Sequence, residues 1–240
     1  MLIFVAKLII NRMIMRRFVA ALCCMVMVFG RLMAWTGSGT EQNPYQLSSL
    51  SDLETLATEV AADNNFSGKY FILTADIDTL TRTIGRGRDY PFCGNLDGCG
   101  HTVTVNISGT GNYIGGLFAA LGSEDGGAYV HDLVVNGTVD NSYYSYAGGI
   151  ASFAEGTESS PTLIENCLNK AAVSAAICSG GIVGYVYQNV TIRNCYTSGS
   201  SYANNCTANG GAGGVVGHLG TNCILQNVVN AGTILNNANR

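Results

Sequence analysis

An all-β solenoid, closed at its amino end by one helix, is the fold that this 240-residue sequence predicts. Three observations predict it. A Gly-Gly pair leading into an apolar stretch recurs at Gly115-Gly116, Gly148-Gly149, Gly180-Gly181 and Gly213-Gly214, at spacings of 33, 32 and 33 residues, which is the signature of stacked repeats. The composition joins 31 glycines and only three prolines to 12% charged residues, against a usual value of about 25%, and favours short strands with tight turns. No repeat carries a helix-period apolar run of ten or more residues, whereas one stretch upstream does carry that period.

Taken in chain order, residues 1–34 read as an export segment, 35–110 as a cap with the first rungs, and 111–240 as the repeats. Arg16 and Arg17 precede the 13 apolar residues from Phe18 to Gly30, and Leu32-Met33-Ala34 offers a small residue for cleavage before Trp35. Thirteen helical residues reach about 20 Å, short of an apolar membrane core of about 30 Å, so the segment fits a cleaved signal better than a retained anchor. Met13 and Met15 give a better-formed signal than Met1, and a lipid anchor through Cys23 or Cys24 is the weaker alternative, because both lie inside the apolar run and Leu22 poorly suits the position before a lipidated cysteine. Five of the 12 basic residues lie in this segment. The remaining seven, set against 16 acidic residues, leave the rest of the chain at −9 and disfavour nucleic acid as a partner.

The helix is expected over about 51–62. Ser51 and Glu54 form a capping box, and Leu53, Leu56, Ala57 and Val60 make one apolar stripe that can lie over the first rung. Asp52, Glu54 and Glu59 on its polar face disfavour a membrane surface. Cys93 and Cys99 flank Gly94 to Gly98, where a turn would bring them within disulfide reach. No Cys-x-x-Cys pair exists, so no zinc site is expected, and no cofactor.

A second marker follows each Gly-Gly pair: Val130 to Leu133, Ile164 to Cys167, Ile192 to Cys195 and Leu225 to Val228. A third follows as Asn136-Gly137-Thr138-Val139 and Asn230-Ala231-Gly232-Thr233-Ile234, with looser versions at Asn169 and Ser198. Coils stacked about 4.8 Å apart would set Leu133, Cys167, Cys195 and Val228 in one interior column. Ile164 and Cys167 cannot both face inward on a period of two, so a bend is expected at Asn166. The Gly-Gly pairs would occupy a corner too tight for a side chain, or one with positive φ. Cys167 and Cys195 read as stacked apolar fillers close enough to admit a bond. Beyond Thr233 to Leu235 the sequence offers no second cap, which predicts a truncated or frayed end or an edge open to a partner strand.

Gly181-Ile182-Val183-Gly184 and Gly214-Val215-Val216-Gly217 resemble the motif of the GLUG repeat family, named for Gly-Leu-any-Gly. Gly116-Leu117-Phe118-Ala119 and Gly149-Ile150-Ala151-Ser152 lack the last glycine. Stretches beginning at Gly37, Leu73 and Phe92 resemble the lead-in to such repeats in secreted bacterial surface proteins. The resemblance implies a right-handed parallel β-helix and adhesin-like or IgA-protease-type surface proteins; it implies no particular reaction.

Catalytic candidates are few. After Glu165 the chain contains no Asp or Glu, which deprives most of the repeats of an acid, base or hard-metal ligand. Asp76 and Asp78 read as turn caps, Asp97 and His101 as turn and strand residues more readily than as an acid–base couple, and His131 and His218 as isolated. Two clusters could bind a ligand: Arg86 and Arg88, with Arg82 and Asp89, in one loop, and Tyr143, Tyr144 and Tyr146 before the second Gly-Gly pair. The expected function is a secreted or cell-surface module for adhesion or scaffolding, without catalysis. Its expected partner is a host or bacterial surface protein or a glycan. The alternatives are a carbohydrate-active β-helix enzyme and an accessory domain of a larger surface protease.

Overall fold

The computed structural model describes residues 35–109, 113, 115–204 and 210–237; the export segment and Cys206 lie outside the described residues. The chain coils so that strands of each turn pair in parallel with their counterparts in the next. The first sheet stacks Tyr45–Leu47, Tyr70–Leu73, Asn95–Asp97, Tyr129–His131, Thr162–Glu165, Val190–Arg193 and Ile224–Gln226 in chain order. A second sheet stacks Phe118–Leu121, Ala151–Ala154, Val183–Gln188 and Val216–Thr221, and a small third one Tyr146–Gly148, Cys178–Gly180 and Ala212–Gly213. A fourth, grown around Val134–Asn141, completes each coil. The result is the expected parallel β-solenoid, of about four turns with one short helix.

Register places like residues over like. Leu96, Val130, Ile164, Ile192 and Leu225 are partners in consecutive strands. The first four are buried, and each fully buried Leu, Ile or Val contributes about 1.5–3 kcal/mol. Two residues beyond Val130, Ile164, Ile192 and Leu225, Asp132, Asn166, Asn194 and Asn227 all adopt left-handed backbone with φ of 51°, 53°, 54° and 52°. That corner turns Leu133, Cys167 and Cys195 back into the interior, where all three are buried. The expected bend at Asn166 is therefore present, and it recurs at Asp132, Asn194 and Asn227. Asn and Asp tolerate this conformation better than other residues with a Cβ, because their short polar side chains bond locally. Val228, in the last coil, is half-buried, and Leu225 there is 38% exposed.

The glycine column is steric in origin. Gly148, Gly180 and Gly213 share one register column. A Cβ on them would meet a backbone oxygen at 2.2, 2.0 and 1.8 Å respectively, and none has positive φ. At the next position a Cβ on Gly181 would come within 2.3 Å of the Gly214 carbonyl oxygen. The third marker also marks a corner. The Asn169 amide spans Ala171, donating to its oxygen at 3.0 Å and accepting from its N–H at 3.1 Å, and Asn230 brackets Gly232 in the same way.

Helix α1, Leu50–Ala61, buries Leu53, Leu56, Ala57 and Val60 as its stripe predicts. Its cap differs from expectation. Ser49 is the N-cap and accepts from the Asp52 N–H, while the Asp52 carboxylate accepts from the Ser48 N–H at 2.9 Å. Ser49-x-x-Asp52 takes the place of Ser51-x-x-Glu54 two residues earlier, and the Asp52 carboxylate accepts from Ser48 and the Ser49 hydroxyl rather than from the N-cap N–H. A buried chain of rings, Phe71 to Phe92 at 5.6 Å and Phe92 to Phe118 at 5.1 Å, runs from the cap toward the first repeat, with Trp35 5.4 Å from Phe71.

The disulfide that the sequence left possible between Cys93 and Cys99 is not present; both are free. The segment between them is not a turn but the strand Asn95–Asp97, which at about 3.3 Å per residue holds its two ends apart. Cys93 is buried beside Ser123, with Sγ 3.9 Å from Oγ, and Cys99 is exposed at the following corner. Cys167 and Cys195 are likewise free, buried fillers.

Asn194→Val, a β-branched residue forced to φ 54°, should destabilise the chain by about 1–3 kcal/mol, whereas Asn194→Gly should cost about 1 kcal/mol or less. Urea unfolding followed by circular dichroism checks the pair; equal losses would contradict a conformational role for the asparagine corner.

Candidate binding face

The outer side of the second sheet gathers aromatic rings from several coils. Ala120, Phe153, Tyr185 and His218 share one register column. Tyr187 lies two residues beyond Tyr185 on the same strand and therefore on the same face. Tyr185 and His218 stack at 4.3 Å, Phe153 and Tyr185 at 5.9 Å, and Phe153 and Tyr187 at 6.3 Å. Phe153 is buried beneath this layer, and Tyr187 is 42% exposed. Tyr113 meets Phe153 edge-on at 5.4 Å and Tyr146 at 5.0 Å, and Tyr146 reaches Tyr185 at 4.8 Å.

Of the predicted tyrosine cluster, only Tyr146 joins this strip. Tyr143 and Tyr144 sit in the preceding turn, the former 90% exposed. The arginine loop divides in the same way. Arg86 lies over the Tyr90 ring at 3.6 Å, whereas Arg88 lies 4.8 Å from the Phe153 centroid and 5.0 Å from that of Tyr187. Arg88 Nη2 donates to Glu155 Oε2 at 2.8 Å, and Gln188 Nε2 donates to Glu155 Oε1 at 3.2 Å. The Glu155 side chain is only 4% exposed, so this charge is stabilised by its partners rather than by water. Burial works against the charge on Arg88, but Glu155 outweighs it and holds the guanidinium above its ordinary pKa. Beside this pair opens a cleft of about 460 Å³, lined by Arg88 and the carboxylates of Asp63, Asp89, Glu124, Asp125 and Glu155.

A second polar column runs down the outside of the first sheet through Asp97, His131, Glu165 and Arg193. Arg193 grips Glu165 through Nε and Nη2 at 2.8 and 2.9 Å, and the Tyr129 hydroxyl donates to Glu165 at 2.9 Å. The Arg193 and Tyr129 bonds hold the Glu165 carboxyl below its ordinary value. Burial, then Glu165, pushes Tyr129 up to about 12. Neither group is tuned toward neutrality as a general acid or base would be.

His131 is not isolated, contrary to expectation. Its Nδ1 lies 2.8 Å from Asp132 and 3.6 Å from Asp97, and its ring stacks on Tyr129 at 4.3 Å. Asp97, His131 and Asp132 offer ligand atoms within 4.8 Å of one another, a set suited to a divalent cation, where the sequence had suggested no metal site. The Asp97–His101 couple, disfavoured from the sequence, does not form. His101 lies 3.2 Å from Asp76, and Asp97 accepts the Cys99 N–H. Asp76 also accepts the N–H of Thr102, 26 residues on, and Asp78, inside the strand Ile77–Leu80, accepts that of Thr79, so neither bond caps a local turn. Sequence reasoning missed Phe153, Tyr185, Tyr187 and the Asp97–His131 contact because coil register, not local spacing, assembles them. Equal offsets from the second marker would have aligned Asp97, His131 and Glu165.

No protein-family model matches the chain. It is 29% identical over 165 residues to halomucin of Haloquadratum walsbyi (strain DSM 16790 / HBSQ001), a match covering 62% of this chain and 2% of the length of that protein. The crystal structure of a candidate immunoglobulin A1 protease from Bacteroides ovatus is similar in fold, with a TM-score of 0.58, 24% sequence identity, and coverage of 82% of this chain and 68% of that one.

The Glu165–Arg193 pair should stabilise the fold fully above the ordinary glutamate value of 4.5 and lose its effect as pH falls through the lowered folded-state value. Glu165→Gln should therefore be less stable than the parent at neutral pH, with the gap narrowing in acid. Urea unfolding at a series of pH values measures this, and a gap that widens in acid would contradict the assignment.

Proposed function

We propose that this chain is an exported, non-catalytic β-solenoid module that attaches to a surface or partner through the side of its coil, serving adhesion or scaffolding. The observation that carries the reading is the aromatic strip. Half-buried and exposed rings from successive coils lie on one outer face, all but Tyr113 on strands, beside an anchored Arg88–Glu155 pair. Surface rings of this kind supply large contact area at low entropic cost.

Other features support the same reading. Residues 13–34 have the charge and apolar length of an export signal. The Gly-Ile-Val-Gly and Gly-Val-Val-Gly units are in keeping with GLUG-type repeats of bacterial surface proteins. A protease of immunoglobulin A1, the reading attached to the similar solved fold, would meet its substrate outside the cell. The enzyme alternative draws its support from the acid-lined cleft, and the test separates it from attachment.

Expressed from its own start in a bacterial host, the chain should be recovered in the medium or at the cell surface. The purified protein should adhere to at least one coating among fibronectin, mucin and a β-glucan, without releasing reducing ends or peptides. Retention in the cytoplasm, or cleavage of the coating, would overturn the proposal.

A further inference from the structure

We propose that the aromatic strip formed by Tyr113, Tyr146, Phe153, Tyr185 and Tyr187 is a binding subsite for a neutral, hydroxyl-rich glycan, which runs across the coils and ends against Arg88 in the neighbouring cleft. This rests on the attachment reading above and names the ligand class for it.

The two sides of a sugar ring differ. The faces bear C–H groups and pack on aromatic rings; the edge carries hydroxyls that need donors and acceptors fixed in place. The strip offers the first kind of surface. Its rings lie 4.8 to 6.3 Å apart, and backbone pairing between coils sets the step from Phe153 to Tyr185. Phe153 forms the buried floor, and the tyrosines form the accessible layer. Burial, followed by the neighbouring Tyr113 phenol, pushes Tyr146 up to about 12, so its hydroxyl stays protonated and can donate.

The second kind of surface begins where the strip meets the cleft. Arg88 lies against Phe153 and Tyr187, is 42% exposed, and lines the cleft. Its partner Glu155, 4% exposed, is fixed by Arg88 on one oxygen and Gln188 on the other. A charged side chain so deeply buried, held on both oxygens and bordering an open cleft, is a pre-organised polar anchor. The cleft of about 460 Å³ is of the size that takes a small ligand or a sugar unit.

Charge decides the class of glycan. Five carboxylates line the cleft against the single guanidinium of Arg88. A uronate, sulfate or sialic acid placed there would face like charges at close range, and a chain at −9 outside its leader offers no compensating field. A neutral sugar incurs no such penalty and can use the carboxylates as hydroxyl acceptors. The same charge pattern disfavours nucleic acid, whose bases would otherwise suit a row of rings.

The test is affinity electrophoresis of the full chain in gels containing a neutral β-glucan, a galactomannan, polygalacturonate or heparin. Tyr187→Ala and Arg88→Ala are run beside Tyr143→Ala, which alters a tyrosine outside the strip. Thermal melting of each variant confirms that it folds. Retardation is expected in at least one neutral gel and not in the two acidic ones, weakened about tenfold or more by Tyr187→Ala and Arg88→Ala and unchanged by Tyr143→Ala. Preference for polygalacturonate or heparin, equal retardation of all variants, or no retardation in either neutral gel would overturn the subsite. Adhesion to the coatings tested above that survives Tyr187→Ala, Arg88→Ala and periodate oxidation of the coating would point to a protein partner. That result would sink the glycan assignment and leave attachment standing, whereas absence of adhesion to every coating would remove both.

Discussion

Parallel pairing between consecutive coils is the constraint on which the rest of the structure depends. It sets each residue directly above its counterpart one repeat earlier, so interior and exterior form columns. The interior columns can hold only side chains that stack on their own kind, and Val130, Ile164 and Ile192 meet that demand. The corners must reverse facing without breaking the pairing. The left-handed Asp132, Asn166, Asn194 and Asn227 do so, and the Asn227 amide donates to Asn194 Oδ1 at 3.2 Å, tying one corner to the next. The glycine columns complete the set by admitting backbone where any Cβ would collide.

Much of this was legible in the sequence, because stacking turns local pattern into global structure. The Gly-Gly spacing and the Ile164 to Cys167 marker sufficed to place an interior column and a bend at Asn166. The stripe of α1 was equally readable, since Leu53, Leu56, Ala57 and Val60 can share only one helical face. Its first residue was not, because Ser49 and Ser51 both satisfy the capping pattern, and the choice fell to bonds from Ser48 that no short motif encodes. The Cys93 to Cys99 segment misled for a related reason. Its glycines and Asp97 suggest a turn, but Leu96 sits in register between Phe71 and Val130, and that pairing makes the segment a strand.

The binding face was legible only in part, and the division is physical. Tyr146 and Arg88 stood out as members of local clusters. What selects them from those clusters is Phe153, supplied by another strand, against which Arg88 packs and to which Tyr146 connects through Tyr113 and Tyr185. Likewise, no short window joins Asp97 to His131. The lateral columns of a solenoid are written at long, nearly constant intervals, and they emerge once the coils are aligned. Most exterior positions bear less of the packing load than interior ones, Phe153 excepted, so ring, guanidinium and carboxylate can be arranged there at modest cost to the fold.

The strip on the second sheet takes successive rings from successive coils, Phe153, then Tyr185, then His218, at positions that differ by one repeat. Such a platform behaves as a graduated rule. Duplicating one unit of DNA lengthens it by one mark with the interval unchanged, and losing one shortens it by the same step. Selection could thus match the platform to longer or shorter polymers by copy number alone, leaving the contact chemistry of every existing mark as it was.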